Sequence, residues 1–478
     1  MKQCLLLLLS FGACIVAFTQ NYHAVQGSSN EAGLNVGNNP AAIVNSPFTW
    51  DITLFGTQLK SITNAFTIHN YSLLSSPGKS EYALDNGEYA RKADISFNTN
   101  LLNARFALSR KRALAFGINL RGYASLHTGS YNYTDTLRDI NDFIRINELT
   151  PSLNGQLASS SWIEIFGTYG QTVLDNETGR LNAAVTLKVN RGLSGATARV
   201  TDVAVNKDLL PDGINYALRS GRVDYGYSSN YDHLQSNQPG AQNTNDFLSH
   251  TEGGASLDLG VEYLIKTQAV TSFHDDDDGY YEYEWKIGVS LLDIGFASYK
   301  YGRNSFIAAN PKSGITSGML EDKFYYTDNI EDFKDSLATV VQSFTSRRGK
   351  FGILHPARAV LNVDKYLLDN FFINADLSLN LSTLAGGEKA YVRELNLLTV
   401  TPRWETRLWA AYLPLQYNNG GKFWVGAAFK AGPLLLGIHN LSNIFSKTSV
   451  QDGGGYLAII IRPWKTRRWG KSREVYCP

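Results

Sequence analysis

Residues 102–120 read LNARFALSRKRALAFGINL, and two kinds of side chain alternate along them on either side of a basic turn. One face is apolar, at Leu102, Ala104, Phe106, Leu108, Leu114, Phe116, Ile118 and Leu120. The other face is small or polar, and includes Asn103, Arg105, Asn119 and Arg121. Because side chains alternate between the two faces of a β-strand, this period of two predicts a β-hairpin whose turn is Arg110–Arg112.

The same alternation recurs along most of the chain. It predicts about fourteen strands, near residues 49–71, 92–109, 113–127, 160–174, 180–206, 254–266, 284–302, 354–365, 371–382, 393–401, 405–414, 422–430, 433–441 and 454–464. A soluble β-sandwich and a membrane-spanning β-barrel would both show this alternation, so the alternation alone does not distinguish these two architectures.

The lengths of the connections separate these alternatives. The connections at one end are short, at residues 110–112, 175–179, 366–370, 402–404 and 431–432. Those at the other end include long polar segments, at residues 128–159, 206–253 and 302–351. Such an asymmetry and an even strand number are typical of bacterial outer-membrane barrels, which must close because hydrocarbon cannot satisfy a free sheet edge. We therefore predict an all-β fold, a transmembrane antiparallel β-barrel over residues 49–464 with long extracellular loops.

The composition agrees with a barrel and disfavours other classes. The 478 residues include 26 Tyr, 23 Phe and 8 Trp but only 18% charged residues. Beyond the N-terminus no apolar run approaches the roughly 20 residues that a membrane-spanning helix needs. The net charge of +1 gives no basic footprint for nucleic acid, so no nucleic-acid partner is expected.

Both ends of the chain differ from the predicted barrel. Lys2, the apolar run that starts at Leu5–Leu9 and the cleavage site Ala17–Thr19 predict an export signal over residues 1–19. The alternative, a lipoprotein signal ending at Cys14, is disfavoured because the apolar run continues past that cysteine. Residues 465–478 form a basic tail, interpreted as a periplasmic extension that contacts a protein partner or lipid head groups, or as a solvated tail.

Known catalytic and metal-binding patterns are missing from the sequence. The eight histidines show no zinc-ligand spacing, and the acidic run at residues 274–278 has Trp285 where a calcium loop needs glutamate. No phosphate-binding loop or Gly-x-Ser-x-Gly motif occurs. We therefore expect no metal, no cofactor and no enzymatic activity, although a hydrolase whose residues come from separate strands remains an alternative.

One charged group stands out near a predicted turn. Arg403, Glu405 and Arg407 project from the face opposite Trp404 and Leu408. They form a candidate charge cluster in the barrel lumen or at its periplasmic rim. The alternative is mutual ion pairing inside a polar interior, without a role in binding.

Several stretches resemble the FadL-like outer-membrane barrels, especially uncharacterised relatives near the PorV-type and PorP-type barrels of type IX secretion. The stretches are GNNPAA at residues 37–42, LAFGIN at 114–119, LDLGVEY at 257–263, KIGVSLLDIG at 286–295 and residues 401–437. The resemblance implies a fourteen-strand barrel plugged by its N-terminal segment. Residues 20–48 would then be the periplasmic plug segment, with Asn39, Pro40 and Ala41 as its candidate site residues.

The expected function follows from the predicted barrel and from this resemblance. It is passive transport of hydrophobic or small amphipathic compounds across the outer membrane of a Gram-negative cell, with both termini periplasmic. The alternative is a non-transporting barrel subunit of a protein-secretion or cell-surface assembly. Expected partners are outer-membrane lipid and lipopolysaccharide, a hydrophobic small molecule, and a protein bound through the extracellular loops or the basic tail.

Overall fold

The computed structural model describes residues 22–69, 81–210, 213–234, 239–266, 283–368, 370–385, 389–445 and 449–463. The predicted signal at residues 1–19, the acidic run at 274–278 and the basic tail at 465–478 lie outside these residues.

Strands make up most of the described chain. They are β1 (Trp50–Thr63), β2 (Phe66–His69), β3 (Glu81–Leu84), β4 (Gly87–Ser109), β5 (Arg112–Tyr133), β6 (Leu153–Asp175), β7 (Gly179–Leu210), β8 (Gly213–Tyr227), β9 (Glu252–Ile265), β10 (Trp285–Lys300), β11 (Phe306–Pro311), β12 (Val341–Ser346), β13 (Lys350–Leu354), β14 (Arg358–Leu368), β15 (Phe371–Asn380), β16 (Ala390–Tyr391), β17 (Leu397–Glu405), β18 (Trp409–Tyr412), β19 (Leu415–Asn418), β20 (Phe423–Val425), β21 (Ala427–Ala431), β22 (Leu434–Ile438), β23 (Ser449–Val450) and β24 (Asp452–Ile461).

The helices are short and lie between the strands. They are α1 (Ile140–Ile146), α2 (Gly240–Ser249), α3 (Ser317–Phe324), α4 (Ile330–Val340) and α5 (Ser442–Phe445), with 3₁₀ turns at His23–Val25, Leu34–Gly37, Pro40–Ile43, Ser229–His233 and Ser382–Ala385. No helix in the described part of the chain combines the length and the apolar character needed to span a bilayer.

The main sheet closes on itself as a fourteen-strand antiparallel barrel, which confirms the predicted fold and strand number. Its wall consists in order of β1, β4, β5, β6, β7, β9, β10, β13 with β14, β15, β17, β18 with β19, β20 with β21, β22 and β24. Strand β1 pairs with β4 on one side and with β24 on the other, so the wall has no free edge. We call the end with the short hairpin turns, such as Arg110–Lys111, the turn end, and the opposite end the loop end.

The outer face of the wall is apolar and the inner face is polar. On β7, Leu187 and Val189 are 66% and 63% exposed, whereas Lys188 between them is buried. The same inversion occurs on β6, where Ile165 is exposed and Glu164 is buried. A soluble barrel would bury its apolar side chains, so this arrangement requires lipid around the wall. The protein is therefore an outer-membrane β-barrel.

At the loop end, several strands continue beyond the length that crosses a bilayer. Strand β7 has 32 residues, whereas a tilted transmembrane strand needs about 9–11. Strands β8, β11 and β12 extend this sheet. Helices α3 and α4 pack on it around a cluster of Phe306, Ala308, Ile315, Leu337, Val340 and Val341.

Strands β8, β11 and β12 lie in segments that were predicted as long connections, so these parts of the prediction were wrong. In the barrel wall, β17 differs from the prediction because a proline was interpreted as part of a turn. Strand β17 continues through Pro402 to Glu405, and the turn follows at residues 406–408. Pro402 fits within the strand because its carbonyl accepts the N–H of Leu413 at 3.1 Å. Arg403 and Glu405 therefore belong to the barrel wall.

Candidate functional site

The lumen contains a buried network of four charged residues. Arg121 on β5 makes a two-pronged contact with Asp293 on β10, at 2.5 and 2.8 Å. Lys188 on β7 lies 2.7 Å from both Asp293 and Asp258 of β9. We call Arg121, Lys188, Asp258 and Asp293 the lumenal charge network. It joins four wall strands through their inward-facing side chains.

A β-bulge places Asp293 in this network. The register between β9 and β10 shifts between Leu291 and Ile294, and Asp293 adopts a left-handed backbone conformation with φ 57°. Bulges redirect a side chain, and aspartate tolerates positive φ better than most residues. The N–H of Asp293 donates to the Asp258 carboxylate at 2.7 Å, which satisfies the extra backbone group.

An aromatic cluster borders the network. The indole N–H of Trp162 donates to Glu164 at 2.8 Å, and Glu164 lies 3.6 Å from Arg121. The Trp162 ring stacks on Tyr123 and His355, with centroid distances of 5.6 and 4.0 Å. The aromatic cluster is buried and packs directly beside fixed charges.

The N-terminal segment, residues 22–49, is bound by inward-facing side chains of the wall. The guanidinium of Arg105 donates to the carbonyls of Ile43 and Phe48 at 3.1 and 2.6 Å. Arg358 on β14 donates to the carbonyl of Gly37 at 2.7 Å. Ser290 on β10 donates to the carbonyl of Asn38, also at 2.7 Å. Strands on different sides of the barrel thus hold the same segment.

The same segment also carries a buried charge. Glu31 forms ion pairs with Lys430 of β21 and with Arg462, which lies 3.3 Å away. Burial alone would raise the pKa of Glu31, but the attraction of Lys430 and Arg462 outweighs burial and holds that pKa below its ordinary value. Glu31 is therefore ionised at neutral pH.

Asn39, Pro40 and Ala41 lie at the start of a 3₁₀ turn inside this segment. The Asn39 side chain accepts the N–H of Ala41 at 3.0 Å and donates to the carbonyl of Val261 on β9 at 3.0 Å. A Cβ at Gly260 would lie 2.2 Å from the Asn39 side-chain oxygen, so glycine permits this close approach. Asn39 docks the segment on the wall, and the role of Asn39, Pro40 and Ala41 as a plug stays a prediction.

The predicted charge cluster is only partly brought together. Arg403 and Glu405 face the lumen, and their charged atoms lie 3.2 Å apart. Arg403 also holds Asp364 of β14 in a two-pronged contact at 2.5 and 2.8 Å. Arg407 lies in the turn that follows β17, where its carbonyl accepts a hydrogen bond from Arg462. A binding role for this cluster stays a prediction.

A small cavity lies between the N-terminal segment and the lumenal charge network. Its lining includes Val36, Gly37, Arg121, Lys188 and Asp258, and its volume is about 20 Å³. Such a space admits a water molecule but not an organic solute. In the described part of the chain, no three His, Cys, Asp or Glu side chains converge as a metal site would require.

Sequence reasoning did not single out the lumenal charge network. The sequence feature that could have identified these residues is a charged side chain in the middle of the polar face of a predicted strand, as at Lys188 and Asp258. Asp364, the partner of Arg403, carried the same signal. The sequence does not tell which of these charges meet, because their strands are far apart along the chain.

Comparisons with solved structures return outer-membrane barrels of low similarity. A FadL homologue from Pseudomonas aeruginosa has 12% identity over 93% of this chain and 98% of that chain, with a TM-score of 0.40. The toluene transporter TbuX of Ralstonia pickettii has 12% identity over 94% and 99%, with a TM-score of 0.42. A deletion mutant of the monoaromatic hydrocarbon channel TodX has 10% identity over 90% and 93%, with a TM-score of 0.41.

No curated protein matches the sequence. The family of unknown function DUF5723 matches residues 40–438, most of the chain, and this protein belongs to that family.

Proposed function

We propose that the barrel is a passive outer-membrane channel for hydrophobic or small amphipathic compounds, held closed at rest by its N-terminal segment. The observation that carries the proposal is the binding of residues 22–49 by inward-facing side chains of several strands, among them Arg105, Arg358 and Lys430. A segment held from several sides acts as a plug. Asn39 docks it on β9, and Pro40 and Ala41 continue the same 3₁₀ turn.

The polar character of these contacts makes the closure reversible. Ion pairs, and hydrogen bonds to backbone carbonyls, can be exchanged for contacts with water. The net free-energy cost of breaking them is therefore much smaller than in an apolar medium. The cavity of about 20 Å³ beside the segment is too small for an organic solute. Passage of a solute beside this part of the segment therefore requires the segment to move.

The chemistry of the lumen favours amphipathic solutes. In the closed state Tyr123 and Trp162 are buried, and Arg121 and Lys188 are paired with carboxylates. We expect displacement of the segment to expose these side chains, so that apolar contact lies beside cations for a polar or acidic group. Short turns of such barrels face the periplasm, so the plug and both termini would be periplasmic and the long loops extracellular.

Reconstitution into liposomes tests this proposal. Full-length protein should take up a labelled fatty acid or a labelled aromatic hydrocarbon faster than empty liposomes. A variant lacking residues 22–46 should in addition conduct ions in planar bilayers, whereas the full-length protein stays closed. Uptake no faster than in empty liposomes contradicts transport, and an unchanged conductance of the deletion variant contradicts the plug.

A second function, a barrel subunit of a protein-secretion or cell-surface assembly, is favoured by the structure at the loop end. The α3–α4 connection carries Tyr325 and Tyr326, which are 74% and 82% exposed. Exposed aromatic side chains on a packed extracellular scaffold suit protein binding. The resemblance to type IX secretion barrels points the same way. Affinity purification from mildly solubilised membranes should then recover a partner protein together with the barrel. The substitutions Tyr325→Ser and Tyr326→Ser should reduce the amount of partner recovered. Recovery of the barrel alone contradicts this function.

A further inference from the structure

Three cations lie on the outer face of the wall at the loop end, on β7, β10 and β13, with β9 between the first two of these strands. Arg191 on β7, Lys300 on β10 and Lys350 on β13 are all exposed. They continue the outward face of their strands, above Val189 on β7 and Phe296 on β10, which are also exposed. We call Arg191, Lys300 and Lys350 the loop-end basic patch.

The strand register brings two of these cations into direct opposition. Lys300 and Lys350 are partners across the β10–β13 pair. Like charges directly opposite each other destabilise a sheet unless an anion offsets them. Glu252 neutralises one charge through its ion pair with Lys350, at 2.6 Å. Three cations against this single carboxylate leave the patch with a net positive charge.

We call the lipid-facing band of exposed apolar side chains on the wall the apolar belt. The position of the basic patch relative to this belt indicates where a bound anion would lie. From Leu181 to Arg191 the strand rises about 33 Å, or about 25 Å along the barrel axis after a tilt of about 40°, which matches the height of the lipid-facing band. Arg191 therefore lies at the border of the belt, and the two lysines lie at or above it. At the loop ends of β15, β19 and β20, the outward residues are the apolar Leu379, Tyr417 and Phe423.

We propose that the loop-end basic patch binds the phosphate of an outer-leaflet glycolipid, whose acyl chains lie against the apolar belt below. Arg191 supplies a planar donor pair suited to phosphate, and Lys300 and Lys350 supply point charges. Binding relieves the repulsion between the two lysines. The inference depends on the loop end facing outward and is independent of what the lumen transports.

Binding of lipid A to the full-length protein in detergent micelles tests the inference. The probes are phosphorylated lipid A, the same lipid without its phosphates, and inorganic phosphate. The variant R191Q/K300Q/K350Q should bind phosphorylated lipid A at least about tenfold more weakly, because it loses its charge-assisted hydrogen bonds to phosphate. Wild-type protein should prefer the phosphorylated lipid, and inorganic phosphate should compete only weakly.

The matched control removes three cations at the opposite rim, in the variant R110Q/K111Q/R112Q, and should bind like the wild type. Folding of each variant is checked by its heat-modifiable migration, so that a loss of binding is separated from a loss of structure. An unchanged affinity of the patch variant overturns the inference. The inference is also overturned if the patch variant loses as much affinity for the dephosphorylated lipid, or if the turn-end control loses as much affinity for phosphorylated lipid A. It is overturned as well if inorganic phosphate competes with an affinity equal to that of the lipid.

Discussion

The carboxylate of Glu31 and the ammonium of Lys430 form an ion pair that joins the N-terminal segment to β21, and each side chain is only 1% exposed. The two residues are 399 positions apart in the sequence. Arg462, on the residues that follow β24, shares the same carboxylate. A single acidic side chain therefore connects the start of the described chain to its last strands.

Replacing Glu31 with glutamine should loosen the N-terminal segment. Removal of one partner from a buried pair leaves Lys430 as an uncompensated charge, which costs about 3–5 kcal/mol. We expect faster cleavage of the segment by chymotrypsin, which can cut after Tyr22, Leu34 or Phe48. We also expect a lower free energy of unfolding in urea. The control is Glu148→Gln, which removes an exposed pair with Lys207 at 3.3 Å and should cost about 0–1 kcal/mol. Equal effects of the two variants would contradict the role of Glu31.

The same carboxylate predicts a response to acid. The pKa of Glu31 lies below its ordinary value of 4.5, because Lys430 and Arg462 outweigh the effect of burial. Its contribution to the bound segment is therefore complete above pH 4.5 and is lost as the pH falls from there through the lowered pKa. Barrels are incubated at each pH, crosslinked to fix the segment in the conformation it has there, and returned to neutral pH. We expect chymotrypsin cleavage of the segment to increase as the incubation pH falls over that range. The Glu31→Gln variant should not show this acid-dependent increase in cleavage. An increase of equal size in the variant would mean that other titrating groups cause it.

The Arg403–Asp364 pair should be essential for the barrel wall. Both side chains are fully buried. Arg403→Met leaves the buried carboxylates of Asp364 and Glu405 without this cation and should cost about 3–5 kcal/mol in the free energy of unfolding. The double variant Arg403→Met with Asp364→Asn should recover part of that loss. Lys365→Gln is the control, because its pair with Glu284 at 3.4 Å is half exposed. A double variant less stable than the single one would show that the pair is not what stabilises this site.

A charged side chain on the outward face of β9 should destabilise the folded barrel. Leu259→Lys places an ammonium in the apolar belt and should reduce the free energy of folding into lipid vesicles by about 2–4 kcal/mol. Leu149 is 91% exposed on a loop-end connection, so Leu149→Lys is the matched control and should have little effect. If both substitutions had the same cost, β9 would not face lipid.

The fold was predictable because its signal is local. Alternation such as Leu114 and Phe116 against Asn119 and Arg121 reports the two faces of each strand without knowledge of its neighbours. Fourteen such segments and the asymmetric connections then imply closure, because an amphipathic wall in lipid cannot leave an edge unpaired. One error, at β17, arose where this signal was ambiguous, since Pro402 resembles a turn residue until its carbonyl is seen to pair with Leu413. The loop-end strands β8, β11 and β12 were also missed, within segments predicted as connections.

The sequence by itself determined the fold class, the number of strands and the side of each strand that meets lipid, because these depend on neighbours one and two positions away. Only the tertiary structure decided which inward charges meet. Arg121 and Asp293 are 172 residues apart, and a bulge in β10 turns Asp293 toward its partner. Lys300 and Lys350 likewise become neighbours only through the register of β10 and β13. Closure of the barrel sets these pairings, because it brings together strands that are distant along the chain.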